Sequence, residues 1–337
     1  MSDDNTARKA VKVLDIPGGD KRLRPVHTIG IGASGYFVAS DVARDFCTAE
    51  FFGGQQVRVS VRFSNGKGLV IPHDGWNDTR GLAVRFHLAG GAAADLLAMT
   101  LSEFFTPTPE TFLRFGEATQ PGPVKRESAW QKLLDMLHLM QPLPDPPPGE
   151  TVSADLRAIE FADLHPYAAL PMFHGAALGA PASYVRAAYH AVHTFIAVAP
   201  DGTRRPVRFT WIPVAGVRNR DPNAKPCDNY LQNELRARLA REPARFILMM
   251  SIGEVGDDLN DPSRPWPPHR VRVVMGTLTV DAVAGDQSED CERLSFNPWR
   301  LTAGIEPSDD PILRLRHGAY EFSRERRSAI ACPFAGG

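Results

Sequence analysis

The sequence predicts an α+β fold, with several strands and helices grouped after them. Residues 57–64 alternate strictly between apolar and polar side chains, which is typical of a strand with one buried face. Leu231, Leu235 and Leu239 recur at four-residue spacing, which predicts a helix with an apolar stripe. These two periodicities, found in different parts of one chain, are the basis of the fold class.

The other elements follow from the same patterns. Residues 207–211 and 271–274 show the alternation or β-branching expected of strands. Residues 141–149 contain too many prolines for a helix or an inner strand, so we predict an exposed, semi-rigid connection there. The predicted strands are residues 57–63, 81–88, 192–199, 205–212 and 270–280, and the predicted helices are residues 108–118, 127–140, 228–242 and 311–329.

The length of the chain permits one large domain. Closed β-barrels often run past about 200 residues as a single unit, and the chain has 337. We predict a single core over residues 24–330, preceded by a loosely held N-terminal arm over residues 1–23.

The charge balance argues against two classes of partner. With 38 basic and 39 acidic residues the formal net charge is −1, so no global field attracts nucleic acid or an anionic membrane. We therefore expect no nucleic-acid partner and no membrane partner.

The N-terminus and the cysteines both bear on cellular location. The first ten residues are polar and charged, and no apolar run approaches the roughly 18 residues of a membrane span, so we expect a cytoplasmic protein. The four cysteines are scattered without a Cys-x-x-Cys pair, and we expect them to be reduced and structural. They are Cys47, Cys227, Cys291 and Cys332.

The predicted helix at 311–329 places a tyrosine between two arginines on one face. At roughly 100° per residue, Tyr320 lies about 40° from Arg316, and Arg327 lies about 20° from Tyr320. A guanidinium one turn away favours the phenolate, which is the form that binds a hard ferric ion. Tyr320 is therefore a candidate iron ligand. The alternative is a half-buried packing residue beside a solvated basic face.

A second cluster lies near the other end of the chain. Residues 24–27 read Arg-Pro-Val-His, and residues 61–64 read Val-Arg-Phe-Ser, with Arg62 and Ser64 on the same face of the predicted strand. These two motifs are followed by the Arg-x-x-x-Tyr helix, and the chain resembles the haem catalases, which carry the same three motifs in the same order. Further co-linear segments resemble catalase over about residues 20–330: residues 35–37, 79–86, 193–195 and 304–308.

The resemblance implies an antiparallel catalase β-barrel with helices packed around it, and it implies a role for each matching residue. His27 is the distal base above haem b, Ser64 orients its imidazole, and Tyr320 is the proximal ligand, which Arg316 keeps ionised. The remaining implied cofactor-binding residues are Arg24, Arg62 and Arg327 at the haem propionates, Val26 beside the distal histidine, and Phe112 against the porphyrin.

Two departures from the family pattern are informative. The asparagine that helps place hydrogen peroxide in catalases falls on Thr100, or on Met99 with a one-residue slip. We take Thr100 as the candidate catalytic residue, and neither side chain supplies an amide. The run that follows the ligand in catalases is also missing after Tyr320. Because the chain is short, it resembles the small catalase-related peroxidases most.

Those relatives imply a haem peroxidase that reduces hydrogen peroxide and organic hydroperoxides with a small organic electron donor. We expect weak catalase activity at most, because loss of the amide removes precise placement of a small peroxide. Three alternatives stay open: a catalase, a fatty acid hydroperoxide isomerase or dehydratase of the allene oxide synthase type, and a haem store. The sequence leaves the oligomeric state open, with a homo-oligomer as one option.

Other residues offer rival sites. His317 points about 100° away from Arg316, and Cys332 lies two turns or more beyond the tyrosine, so both are poor rivals to Tyr320 as ligand. His190 and His193 are three residues apart near a predicted strand, which favours structural or surface roles. The glycines of residues 30–35 lack the strand and helix of a dinucleotide site.

Overall fold

The computed structural model describes most of the chain. The helix predicted at 127–140 lies largely outside the described residues, and the proline-rich connection at 141–149, Cys227 and Cys332 lie outside them entirely. The described residues are 3–15, 20, 23–66, 74–75, 78–120, 122–123, 130, 133, 136–137, 151–152, 154–221, 223, 229–287 and 291–329.

Eight antiparallel strands close into a barrel, which confirms the predicted architecture. Their order around the wall is β7-β4-β3-β2-β1-β10-β9-β8, and β8 pairs back onto β7. A short strand, β11, extends β7 on its outer edge, and β5 pairs with β6 in a separate hairpin. In chain order the strands are β1 Gly30–Ala39, β2 Val57–Asn65, β3 Arg80–His87, β4 Ala93–Met99, β5 Gly122–Pro123, β6 Thr151–Val152, β7 Tyr189–Val198, β8 Arg204–Pro213, β9 Ala244–Ile252, β10 Arg272–Val283 and β11 Ile305–Pro307.

Alternate residues of each strand fill the barrel with apolar side chains. Phe37 of β1 lies edge-on to Phe86 of β3 at 5.4 Å between ring centroids, and to Trp211 of β8 at 6.1 Å. All three rings are fully buried. Successive strand residues point to opposite faces. The residues that alternate with the inward-facing ones, such as Arg62 and Ser64 of β2, therefore lie on the outside of the wall.

Helices cover part of that outside. The helix Pro311–Ala329 begins directly after Asp310, whose Oδ1 accepts hydrogen bonds from the backbone N–H groups of Ile312 at 2.7 Å and Leu313 at 3.1 Å. Thr108 caps the helix Pro109–Ala118 in the same way, through a reciprocal pair with Thr111. The helices among the described residues are α1 Asp3–Leu14, α2 Ala43–Phe46, α3 Pro109–Ala118, α4 Ala154–Leu164, α5 Pro166–Ala177, α6 Tyr230–Leu239 and α7 Pro311–Ala329.

The N-terminal segment differs from our expectation of a loosely held arm. Residues Asp3–Leu14 form helix α1, and Ala7 and Ala10 are buried in a cluster with Ile312 and Leu315 of α7. A Cβ added at Gly318 would lie 2.8 Å from the Ala7 Cβ, so the two helices approach closely there. The amphipathic face of α1 therefore anchors this segment to the helix that carries Tyr320.

Most predicted elements are present with shifted ends. The strands predicted at 57–63, 81–88, 192–199, 205–212 and 270–280 correspond to β2, β3, β7, β8 and β10, and the helices predicted at 108–118, 228–242 and 311–329 correspond to α3, α6 and α7. Within the described part of the chain, none of the helices has the length and apolar character needed to cross a membrane.

Candidate active site

His27 lies against the outer face of the barrel, in the segment that leads into β1. Its backbone has a left-handed φ of 54°, and its N–H donates to the Gly66 carbonyl at 3.0 Å. The ring Nδ1 lies 3.0 Å from the Ser64 Oγ. A Cβ at Gly81 of β3 would come within 2.9 Å of that Nδ1. The imidazole therefore packs on bare strand backbone, and the strained φ at His27 is typical of a functional position.

The surroundings of His27 keep its imidazole neutral. Burial, followed by the positive charges of Arg62, Arg316, Arg24 and Arg80, lowers the pKa of His27 to about 3. Because Nδ1 is held by Ser64, Nε2 is the nitrogen available to a substrate. A neutral ring nitrogen that accepts a proton and then returns it is suited to general acid–base work.

Tyr320 lies at the end of a chain of polar contacts. Arg316 Nη2 donates to the Tyr320 Oη at 3.1 Å, and Arg316 Nη1 lies 2.8 Å from His193 Nε2. His193 Nδ1 lies 2.6 Å from the Asp310 Oδ2, and both of these side chains are at most 2% exposed. A guanidinium has no acceptor, so Nε2 accepts and Nδ1 donates to Asp310. Burial also lowers the pKa of His193, in agreement with a neutral ring.

Our expectation of a structural or surface role for His193 missed this contact. A register shift in β7 between Ala191 and Phe195 turns His193 toward α7, which simple alternation does not anticipate. Only the resemblance of residues 193–195 to a catalase segment pointed to it. His190, by contrast, lies on the outer face opposite Met99, with its Nδ1 3.2 Å from the Thr210 Oγ1.

Two other candidates occupy defined places beside Tyr320. Phe112 of α3 stacks on Phe104, with centroids 5.9 Å apart, and the Arg316 guanidinium lies 5.8 Å from the Phe104 ring. Phe112 is thus one ring removed from the tyrosine network. His317 stacks on Trp299 at 5.6 Å and contacts Asn297 at 3.0 Å, which directs it away from the Arg316 face.

Three arginines from separate elements converge beside these groups. Arg62 of β2 and Arg24 both bind the carboxylate of Glu292, and Arg327 of α7 donates to the Glu292 carbonyl at 2.9 Å. Burial and then the charge of Arg62 lower the pKa of Arg24. Val26, half-buried, lies between Arg24 and His27 in the same segment. The predicted arginines are therefore brought together around one carboxylate.

The strand register places Met99 on the same face as Ser64, the residue that contacts His27. Ser64 pairs with Gly81, and Gly81 pairs with Met99, so these three residues share the outer face. Thr100 is hydrogen-bonded to Arg80, whose N–H donates to the Thr100 Oγ1 at 3.0 Å. Met99 therefore shares its face with Ser64, whereas Thr100, the next residue, does not, because successive strand residues point to opposite faces.

Electrostatic coupling shows that the two sides of the site belong together. Arg316, which bonds Tyr320, is also one of the charges that lower the pKa of His27. A buried neutral imidazole together with a phenol that accepts from an arginine suits a haem-dependent oxidoreductase that uses peroxide. A family model described as Catalase matches residues 22–332, and the chain belongs to the catalase family.

Over most of its length the chain is similar to the smaller members of that family. It is 31% identical to a catalase-related peroxidase of Mycolicibacterium paratuberculosis, over 98% of this chain and 97% of the relative. It is 28% identical to a catalase-related peroxidase of Synechococcus elongatus, over 90% and 82%. Catalase-2 of Bacillus subtilis is 25% identical, but only 42% of its length is covered. These relatives indicate an oxidoreductase that acts on peroxide.

The fold agrees with these sequence matches. The crystal structure of a fungal catalase superposes with a TM-score of 0.72 at 20% identity, covering 90% of this chain and 59% of that one. At this identity the likeness concerns the barrel and its helices alone.

The residues present fit haem, which the catalase family binds. The Glu292 carboxylate between Arg24 and Arg62 shows that these arginines form a carboxylate site, as haem propionates require. Tyr320 offers an oxygen to ferric iron, with Arg316 3.1 Å from it. We propose that Tyr320 binds the iron, that Arg24, Arg62 and Arg327 bind the propionates, and that Phe112 supports the porphyrin through Phe104.

Removal of the Tyr320 hydroxyl tests the ligand. Loss of a supporting group around a metal costs about 10–100-fold in affinity, so loss of the ligand itself in Tyr320→Phe is expected to weaken haem binding by more than about 100-fold. The Soret absorbance of purified protein, relative to protein absorbance, measures it. Tyr230→Phe is the control, because the Tyr230 hydroxyl binds the Pro181 carbonyl away from the site. An unchanged spectrum in Tyr320→Phe would mean another ligand.

Proposed function

We propose that the protein is a haem-b-dependent peroxidase that reduces hydrogen peroxide and organic hydroperoxides with a small organic electron donor, with weak catalase activity at most. The observation that carries the proposal is the outer-face row of Ser64, Gly81 and Met99. It combines an oriented histidine with an apolar thioether where catalases carry an amide. The near-complete coverage of a catalase-related peroxidase supports the same conclusion.

Bound haem supplies the redox centre that accepts oxidising equivalents from a peroxide. His27 binds the incoming peroxide through Nε2, takes its proton, and returns that proton to the oxygen that leaves as water or alcohol. Ser64, 3.0 Å from Nδ1, fixes the ring orientation during both transfers. Proton transfer by a positioned imidazole contributes about 10²–10⁴-fold to the rate.

On the other side, the network of Tyr320, Arg316, His193 and Asp310 fixes the phenol oxygen. Arg316 donates to that oxygen and is itself held by His193 at 2.8 Å. Asp310 is buried and fixes the His193 tautomer. Each member is thereby oriented by the next, so the phenol oxygen is preorganised to bind a cation.

Met99 bears on which peroxide reacts. Its thioether is only a weak acceptor and cannot donate a hydrogen bond. The row of Ser64, Gly81 and Met99 therefore adds no second polar contact to a small peroxide beside the one from His27. The alkyl chain of an organic hydroperoxide can pack against the Met99 thioether, whereas hydrogen peroxide has no apolar group that could do so. The row therefore favours organic hydroperoxides over hydrogen peroxide dismutation.

The isomerase alternative is less favoured in this proposal. It drew on a threonine at the distal asparagine position, whereas the face that Met99 shares with Ser64 favours Met99 there, and the Thr100 hydroxyl accepts a hydrogen bond from the Arg80 backbone N–H at 3.0 Å. The haem store alternative is disfavoured by the intact pair of His27 and Ser64, which serves no purpose in storage.

A stopped-flow experiment tests the proposed function. Haem-loaded protein is mixed with hydrogen peroxide, with cumene hydroperoxide or with a lipid hydroperoxide, and a phenolic donor is then added. We expect an oxidised haem spectrum that the donor returns to the resting form, with faster reaction for cumene hydroperoxide. Rapid oxygen release from hydrogen peroxide alone would identify a catalase, and consumption of a lipid hydroperoxide without donor would identify an isomerase.

The distal residue can be tested by restoring an amide. Met99→Asn is expected to raise oxygen release from hydrogen peroxide at least about tenfold, since positioning of a small substrate is a large part of its reactivity. Oxygen evolution measured with an electrode gives the rate. Met99→Leu keeps an apolar side chain of similar volume and is expected to match the wild type. Equal rates in the two variants would show that residue 99 does not control peroxide choice.

The pKa of His27 sets the expected pH dependence. Because the pKa is lowered to about 3, the neutral base is present throughout the neutral range and is lost only as the pH approaches that value. The rate of peroxide reaction is expected to be flat between about pH 5 and 8, and about 10²–10⁴-fold lower in His27→Ala. A midpoint near 6.5, the usual imidazole pKa, contradicts this assignment of the base.

A further inference from the structure

The arginine cluster contains its own counter-ion. Glu292 Oε1 accepts from Arg62 Nη2 at 3.0 Å and from Arg62 Nε at 3.3 Å, and its Oε2 accepts from Arg24 Nη1. Arg62 is 4% exposed and Arg24 13% exposed, so both guanidiniums are mostly withdrawn from water. Buried charges require pairing, and Glu292 provides it.

The backbone around Glu292 is fixed to the barrel. Cys291 is fully buried, and a Cβ at Gly32 of β1 would lie 2.4 Å from the Cys291 Cβ. Arg24 Nη2 donates to the carbonyls of Glu292 at 3.1 Å and Leu294 at 2.8 Å. The main chain of this segment is thus part of the arginine cluster, and its position does not depend on the Glu292 side chain.

The Glu292 side chain, in contrast, can rotate out of the arginine cluster into solvent. It is 42% exposed, although it contacts two buried guanidiniums. Rotation about its side-chain bonds can carry the carboxylate into water without any movement of Cys291 or of β1.

From these contacts, and resting on the haem-dependent function proposed above, we propose that Glu292 is an internal competitor for the haem carboxylates. Its oxygens use the Arg24 Nη1 and the Arg62 Nε and Nη2 donors that a propionate would use. A guanidinium presents a limited fork of donors, so the two carboxylates cannot be bound there together. Haem binding therefore includes displacement of Glu292 into solvent.

This competition has two consequences. Without haem, Glu292 offsets the mutual repulsion of Arg24, Arg62 and Arg327 and keeps the cluster assembled. With haem, the displaced carboxylate remains nearby and lowers the net affinity, since it rebinds whenever a propionate leaves. Glu292 thus sets the balance between a stable haem-free chain and the haem-bound enzyme.

The test compares Glu292→Gln with Glu306→Gln. Glu306 is equally exposed at 42% and pairs with the exposed Arg204, so Glu306→Gln removes a carboxylate of the same exposure from an ion pair outside the arginine cluster. Haem-free protein is titrated with haemin and with haemin dimethyl ester, which lacks free carboxylates, and the Soret absorbance is followed. We expect Glu292→Gln to bind haemin about three- to tenfold more tightly than wild type, in the range of one ion pair. Binding of the dimethyl ester, and all binding by Glu306→Gln, is expected to match wild type.

Thermal unfolding adds a second readout. The haem-free form of Glu292→Gln is expected to unfold at a lower temperature than wild type, with a smaller difference in the haem-bound form. Should Glu292→Gln not fold, Glu292→Asp retains the charge on a shorter side chain and is expected to bind haemin more tightly than wild type, by a smaller factor.

Unchanged or weaker haemin binding by Glu292→Gln overturns the proposal, as does an equal gain for the dimethyl ester. Failure of the wild-type chain to bind haemin with a Soret band overturns the haem-dependent function instead. The two failures are therefore distinguishable.

Discussion

Strand register in the barrel wall is the constraint on which the site depends. The interior aromatic rings, such as Phe37 and Phe86, fix which residues of β1, β2 and β3 face inward. Ser64 and Gly81 are thereby fixed on the outer face, where His27 packs. A slip of one residue would exchange the two faces of a strand and replace Ser64 by a buried neighbour. Apolar packing inside the barrel therefore positions polar chemistry outside it.

Much of the fold could be predicted from periodicity, and the failures have physical causes. Strand β2 and helix α7 were found because their side chains repeat at the spacing of one element. Strand β1 was not predicted, since Gly30, Gly32 and Gly35 carry no side chain to show alternation. They are glycines because a Cβ would clash with Arg62, Cys291 or the β10 backbone. Strands β4 and β9 have compositions that suit a helix equally well. Helix α1 was missed although Ala7, Ala10 and Val11 recur at helical spacing, because small apolar residues among charged ones give a weak periodic signal.

The site was predicted where its residues are close in sequence or shared with the family, and missed where three-dimensional contact is required. Arg316 and Tyr320 are one helical turn apart, so their contact follows from spacing. The contact of His193 with Arg316 depends on an irregularity in β7, and Glu292 reaches Arg62 from 230 residues further along the chain. The choice between Met99 and Thr100 depended on register, which a single sequence does not contain. The roles of these residues in haem binding and catalysis remain proposals.

Asp310 contacts both helix α7 and the barrel, and these two contacts restrict how the chain can vary in length. Its Oδ1 starts helix α7 through Ile312 and Leu313, while its Oδ2 binds His193 of the barrel. The first turn of the helix is thus locked in rotation about its own axis. An insertion or deletion of one residue between Asp310 and Tyr320 would turn the phenol by about 100° relative to the barrel. The number of residues between Asp310 and Tyr320 is accordingly fixed, whereas a length change beyond Arg327 leaves the direction of the phenol unchanged.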